Sequence, residues 1–128
     1  MANWVIMLII SLIMPLIMVG LGSYLAKGGT DEPNWAFGYR TRMAMKNRDT
    51  WRFAQIYSGR LLRCIGLVCL PLTVAVMLLL LFAVESETAE AIIITVLIGV
   101  QAVGVVAIII PVERALRKHF DKQGKHKN

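Results

Sequence analysis

The sequence predicts an all-α membrane protein with three transmembrane helices, and two observations carry this prediction. Hydrophobic residues make up 57% of the 128-residue chain, and the mean hydropathy is +0.65. Soluble domains use roughly 45–50% apolar residues. The apolar residues are also grouped into three long segments without charge, while the charged residues crowd into the remaining segments. This block pattern is typical of integral membrane proteins.

Each of the three apolar segments is long enough to cross a bilayer as a helix. They span residues 4–24, 64–84 and 91–112, and none of them contains a charged residue. A transmembrane helix needs about 20 residues to cross a hydrocarbon core of about 30 Å. The first segment lacks the basic start and the small-residue cleavage site of a signal peptide, so we interpret it as a span. The chain is then one membrane domain, residues 1–128, with a loop at 27–63 and a tail at 113–128.

The basic residues predict the orientation of this domain. Residues 27–63 contain eight Lys or Arg and residues 113–128 contain six, whereas residues 1–3 and 85–90 contain none. Because cytoplasmic segments retain positive charge, we expect the N-terminus outside the cell membrane and the loop and the tail in the cytoplasm. The net charge of +6 then lies along one membrane face. We therefore expect membrane lipids with anionic headgroups as partners, and no nucleic acid.

Residues 47–63 predict an amphipathic cytoplasmic helix that leads into the second span. Asn47 or Asp49 can cap its start. One predicted face carries Trp51, Ala54, Tyr57, Ser58 and Leu61 at helical spacing. The other predicted face carries Arg52, Gln55, Gly59 or Arg60, and Arg63. We interpret Trp51 and Tyr57 as anchors at the membrane interface, since each ring has an apolar body and a polar edge.

The segment 38–62, "GYRTRMAMKNRDTWRFAQIYSGRLL", resembles the signature of the SdpI family of bacteriocin immunity proteins. The positions that match the family pattern in order are Gly38, Tyr39, Arg40, Thr41, Lys46, Asn47, Trp51 and Gly59. The three-span layout extends the resemblance over most of the chain. Many members carry Thr-His after the tryptophan, where this chain has Ala54 and Gln55, so no role that needs an imidazole is implied there.

The resemblance implies a membrane protein that gives resistance to a membrane-active peptide or toxin by binding at the membrane. The namesake also sequesters a transcriptional repressor, so the implied partners are a toxin peptide or a repressor protein. The implied binding residues are the eight matching positions together with Arg42. The alternative is a small transporter or channel, which we would expect to be a homo-oligomer because three spans enclose little pathway.

Two interpretations of Arg40 and Arg42 stay open. They either set the topology by their charge alone, or they form a fork-shaped donor site for phosphate headgroups or a partner's carboxylate. Glu113 directly follows the third span, and we expect it to pair with one of these arginines. Such a pair would hold the loop against the bundle.

Gln101 lies near the middle of the third span and needs a hydrogen-bond partner there. Thr73 and Ser11 are the candidate partners. The amide either makes a structural hydrogen bond or is a polar group on the path of a substrate. The two histidines lie in the basic tail, and the sequence contains neither metal-ligand spacing nor a glycine-rich phosphate loop. We therefore expect no enzymatic activity, no cofactor and no metal.

Overall fold

The computed structural model describes residues 2–30, 33, 38–83 and 85–127. Within these residues the chain forms four helices: α1 (Ala2–Ala26), α2 (Arg48–Ala83), α3 (Glu87–Ala107) and α4 (Ile109–His119). Three helical stretches are long and apolar enough to cross a membrane, namely α1, α2, and α3 together with α4. The predicted all-α architecture with three spans is confirmed, and the chain is a multi-pass membrane protein.

The surface of the spans is apolar. Phe82 on α2 is 83% exposed and Val103 on α3 is 68% exposed. Exposed apolar area of this extent suits lipid, because in water each large side chain left uncovered forgoes about 1.5–3 kcal/mol of burial free energy. Inside the bundle, α1 packs chiefly against α2. Two small clusters, one around Met18 and one around Met77, fill the space between the three spans.

The second span and the predicted amphipathic helix are one continuous helix. α2 has 36 residues, which corresponds to about 54 Å at 1.5 Å per residue. The hydrocarbon core accounts for about 30 Å of this length, so the first 16 or so residues of α2 extend beyond it. Val84, where the predicted span ended, lies outside the described residues, as do residues 31–32 and 34–37 of the predicted loop.

The predicted division of faces on this helix is wrong at Gln55, which was placed with the arginines but is buried because it faces the loop. Of the two residues left open, Gly59 or Arg60, Gly59 is buried against α1. Trp51 is fully buried as well, so it is a core residue and not an interfacial anchor. Arg52 and Arg60 are exposed as predicted.

The third span is longer than predicted and is divided at Ile108. Pro111 has no N–H to donate to the carbonyl of Ala107, and its ring crowds that carbonyl, so α3 ends there and α4 begins at Ile109. At its other end α3 begins at Glu87, which leaves a shorter connection from α2 than the predicted loop 85–90. The Ser86 side chain caps α3 by accepting a hydrogen bond of 3.3 Å from the Ala89 N–H.

A second core lies at one end of the bundle, where the loop, the start of α2, α4 and the tail meet. We call this region, residues 38–63 and 109–127, the polar end. Its fully or nearly buried apolar side chains are Tyr39, Ala44, Ala54, Val112, Leu116 and Phe120. Because these residues come from four separate segments, their burial fixes the loop and the tail to the helices.

Candidate binding site at the polar end

The segment that resembles the family signature begins with a turn at Gly38. This residue has φ +104°, and a Cβ built on it would lie 2.5 Å from the Gln55 Oε1 atom. Only glycine accepts both the dihedral angle and the contact. The Gln55 amide then binds the backbone of Tyr39 twice: Oε1 accepts from the Tyr39 N–H at 2.8 Å, and Nε2 donates to the Tyr39 carbonyl at 2.7 Å. The buried Gln55 amide therefore satisfies both the N–H and the carbonyl of Tyr39, as the backbone of a neighbouring segment would.

Asn47 caps the start of α2, as the sequence predicted. Its Oδ1 accepts from the Thr50 N–H at 2.9 Å, and the Thr50 Oγ1 accepts from the Asn47 N–H at 3.1 Å. This reciprocal pair satisfies donors that the first helical turn leaves without intrahelical partners. Asp49 lies in the first turn, where its charge favours the positive end of the helix dipole.

The tail folds back and docks on the same residues. Asn47 Nδ2 donates to the Gly124 carbonyl at 2.7 Å, and Lys46 Nζ donates to the Lys122 carbonyl. The tail itself forms a tight hook in which the Asp121 carboxylate accepts from the N–H groups of Gln123 and Lys125. These bonds, that of Lys125 above all, hold the pKa of Asp121 below its ordinary value.

Trp51 and Gly59 join α2 to α1 and to the loop that follows α1. The Trp51 Nε1–H donates to the Thr30 carbonyl at 2.9 Å. A Cβ on Gly59 would lie 2.3 Å from the backbone nitrogen of Ala26 and 2.7 Å from the carbonyl oxygen of Gly22. The two helix backbones are thus in direct contact at this point, as small residues allow in membrane bundles.

Tyr39 also links the loop to α4 through its side chain. Its hydroxyl donates to Glu113 Oε1 at 2.8 Å. Burial raises the pKa of the Tyr39 hydroxyl well above its ordinary value, and the hydrogen bond to the Glu113 carboxylate and its charge raise it further. Glu113 therefore ties the loop to the bundle through Tyr39. Its predicted pairing with an arginine stays a prediction, although Arg42 and Glu113 line one cavity.

Arg40 and Arg42 are both exposed and point into different cavities. Arg40 lies at an apolar crevice of about 500 Å³ between α1, α2, the loop and the α3–α4 junction. We call it the apolar crevice; it is lined by residues 38–41 and by Leu21, Leu25, Ser58, Leu62, Val105, Val106, Ile108 and Ile109. Arg42 lies at a cavity of about 730 Å³ between the loop, α4 and the tail, which we call the cationic cavity.

Gln101 binds within the membrane-spanning part of the bundle, and of its two candidate partners Thr73 is the correct one. Gln101 Nε2 donates to Thr73 Oγ1 at 2.7 Å, whereas the Ser11 hydroxyl donates to carbonyls of its own helix. Gln101 Oε1 is buried without a partner among the described residues. One hydrogen bond between α3 and α2 in hydrocarbon contributes about 0.6–2 kcal/mol.

Most of the predicted site residues hold the polar end together. Gly38, Tyr39, Lys46, Asn47, Trp51 and Gly59 make the contacts given above, and Thr41 Oγ1 accepts from the Ala44 N–H at 3.3 Å. Gln55 was predicted on the exposed face of the helix, and the sequence indicated no role for Thr50 or Asp121. Within the part of the chain that the structure describes, no group of three His, Cys, Asp or Glu side chains could hold a metal ion.

A match to the model of a protein family shows which family the chain belongs to. The model of the SdpI/YfhL protein family matches residues 31–112, which is more than half of the sequence. The chain belongs to the SdpI/YfhL family. A search of curated proteins and a search of solved structures gave no match. The matched range contains the whole segment 38–62, so the loop and the start of α2 lie inside the SdpI/YfhL region, whereas residues 113–127 of the polar end follow it.

Proposed function

We propose that this chain gives resistance to a membrane-active peptide by binding the peptide at the membrane. Membership of the SdpI/YfhL family supports a role as a membrane protein of the immunity type. The single observation that carries the binding step is the apolar crevice. Four consecutive residues of the family-like segment, Gly38 to Thr41, line it together with apolar side chains of all three spans.

The crevice has the chemistry that a membrane-active peptide requires. Its volume of about 500 Å³ lies in the range of ligand pockets, which is about 300–1,000 Å³. Val106 and Ile109 at its edge are 63% and 42% exposed, so the crevice opens toward the surface that lipid covers. An amphipathic peptide can insert an apolar side chain there from the bilayer. Arg40 adds a planar guanidinium that can bind a peptide carboxylate in a fork.

The test uses cells that lack the protein, complemented with variants and challenged with membrane-active peptides. Val106→Phe fills the mouth of the crevice, and Arg40→Ala removes the guanidinium. We expect each change to lower the tolerated peptide concentration by about tenfold, which corresponds to about 1.4 kcal/mol of binding free energy. Arg40→Lys keeps the charge but loses the fork, so we expect an intermediate loss.

Two matched controls separate binding from insertion and topology. Val103→Phe adds the same volume to an equally exposed valine of α3 that does not line the crevice. Lys27→Ala removes the same charge as Arg40→Ala from outside the family-like segment. Both should retain full resistance at equal protein level in the membrane. The proposal is wrong if Val106→Phe and Arg40→Ala also retain full resistance.

A further inference from the structure

The cationic cavity is built from three segments that are far apart in the sequence. Five basic and two acidic side chains line it, together with Met43 and Phe120. The loop supplies Arg42 and Lys46, α4 supplies Arg117, and the tail supplies Lys122 and Lys127. Like charges repel at close range, by about 1 kcal/mol per pair at 4 Å even in bulk water. The fold therefore holds these positive charges around one cavity, although their mutual repulsion favours separating them.

The two acidic residues of the cavity already have other donors. Glu113 accepts the Tyr39 hydroxyl, and Asp121 accepts two N–H groups of the tail hook. Within residues 2–30, 33, 38–83 and 85–127, the side chains of Arg42, Arg117, Lys122 and Lys127 have no ion pair or hydrogen bond. The charge of Lys127 also acts on the Asp121 carboxylate, and the five basic and two acidic side chains together leave the cavity a net charge of +3 for a bound anion.

The position of the cavity along α4 places it at the depth of lipid headgroups. Ile110 is 59% exposed and belongs to the apolar surface of the third span. The lining of the cavity on α4 runs from Glu113 to Arg117, three to seven residues further along the same helix, which corresponds to about 5–10 Å along the axis. The headgroup layer occupies about 5–8 Å beyond each side of the hydrocarbon core. Met43 and the buried ring of Phe120 add apolar lining beside the cations.

We propose that the cationic cavity binds a phosphate group, carried by an anionic phospholipid headgroup or free in solution. Arg42 and Arg117 supply guanidinium forks that match two phosphate oxygens, and Lys122 and Lys127 supply point charges from the tail. The bound phosphate bridges the loop, α4 and the tail. This site is separate from the apolar crevice, because the two share no lining residue, and it does not depend on peptide binding.

The test measures binding of short-chain phosphatidylglycerol, short-chain phosphatidylcholine and inorganic phosphate to the full chain in neutral detergent. We expect phosphatidylglycerol to bind about tenfold more tightly than phosphatidylcholine, since charge-assisted bonds to phosphate favour the anionic lipid. In the double variant Arg42→Gln, Arg117→Gln this preference should fall to about twofold or less. Inorganic phosphate distinguishes the two sources of the phosphate group. If the unaltered chain binds inorganic phosphate tightly without lipid, and the double variant loses this binding, the ligand is free phosphate.

The matched control is the double variant Arg114→Gln, Lys118→Gln. It removes two charges from exposed positions of the same helix that do not line the cavity. We expect it to keep the lipid preference of the unaltered chain within about twofold. Thermal unfolding without lipid checks that all variants are folded. If both double variants lose the lipid preference equally, general attraction to the charged surface explains it and the proposed site is wrong. The site is also wrong if the unaltered chain binds neither phosphatidylglycerol nor inorganic phosphate more tightly than phosphatidylcholine.

Discussion

Tyr39 is bound at its backbone and at its hydroxyl, and the two partners come from different parts of the chain. The Gln55 amide holds its backbone from α2, and the Glu113 carboxylate holds its hydroxyl from α4. Gly38 permits the approach, because any side chain there would collide with Gln55. The order glycine, aromatic, arginine in the family-like segment thus has a structural reason at its first two positions. Arg40, which is exposed, follows directly from this fixed point.

The Tyr39→Phe variant tests the link between the loop and α4. It removes the hydroxyl that donates to Glu113 and leaves the ring in the core. A hydrogen bond to a charged group contributes about 1.5–3 kcal/mol, and partial solvent access reduces this. We expect a loss of about 1–2 kcal/mol in the free energy of unfolding at pH 7, measured in detergent micelles.

The pH dependence of the same variant identifies the hydroxyl as the cause. The pKa of Tyr39 is raised in the folded protein above its ordinary value of 10.0. Its contribution to stability is therefore fully present below pH 10.0 and is lost progressively as the pH rises above it. Tyr39→Phe should be less stable than the unaltered chain at pH 7, and the difference should shrink above pH 10. A difference that is constant across this range would contradict the assignment.

The interface between α1 and α2 depends on glycines at the points where the helices cross. Cβ atoms built on Gly22, Gly59 and Gly66 would each lie within 3.0 Å of atoms of the opposite helix. Gly20, Gly99 and Gly104, which also lie in spans, have no such contact. The sequence does not show which glycine of an apolar segment contacts a neighbouring helix. The rotation of each helix about its own axis decides this.

The Gly59→Ala variant should separate α1 from α2 locally. The added methyl group meets backbone atoms of Ala26 and Gly22, which cannot rotate away as a side chain can. Overpacking of this kind costs about 1–3 kcal/mol, measured as a shift in thermal or denaturant unfolding in micelles. Gly99→Ala is the control, since a Cβ there meets nothing within 4 Å. We expect it to be neutral or to stabilise α3 by up to about 1 kcal/mol; equal destabilisation of both variants would refute the contact.

The bundle has its positive charge at one end. The basic loop and tail meet at the polar end, and the connection between α2 and α3, which contains Glu85 and Ser86, lies at the other. The positive-inside rule then predicts a cytoplasmic polar end. Labelling of introduced cysteines in intact cells tests this orientation, in a background that lacks Cys64 and Cys69. The Ser86→Cys variant should react with an impermeant reagent, whereas Lys125→Cys should react only after lysis. The reverse pattern would invert the orientation.

Prediction from sequence succeeded where the controlling physics is local or set by the membrane. An uncharged run of about 20 residues is needed to cross the hydrocarbon core, so the spans can be located by counting. The helix cap at Asn47 involves only the first turn of α2. Prediction failed for Trp51 and Gln55 and left Gly59 open, because an aromatic, an amide and a glycine suit a surface or a core equally well. Their burial depends on elements that the sequence does not place.

By itself the sequence determined the three spans, the start of α2 and membership of the SdpI/YfhL family. Only the tertiary structure decided how the loop, α4 and the tail combine into the polar end. Tyr39 and Glu113 are 74 positions apart, and Asn47 and Gly124 are 77 apart. Such contacts form because the spans bring the ends of their connecting segments to one side of the bundle. Both cavities exist for the same reason, since each is lined by segments that meet only after the helices have packed.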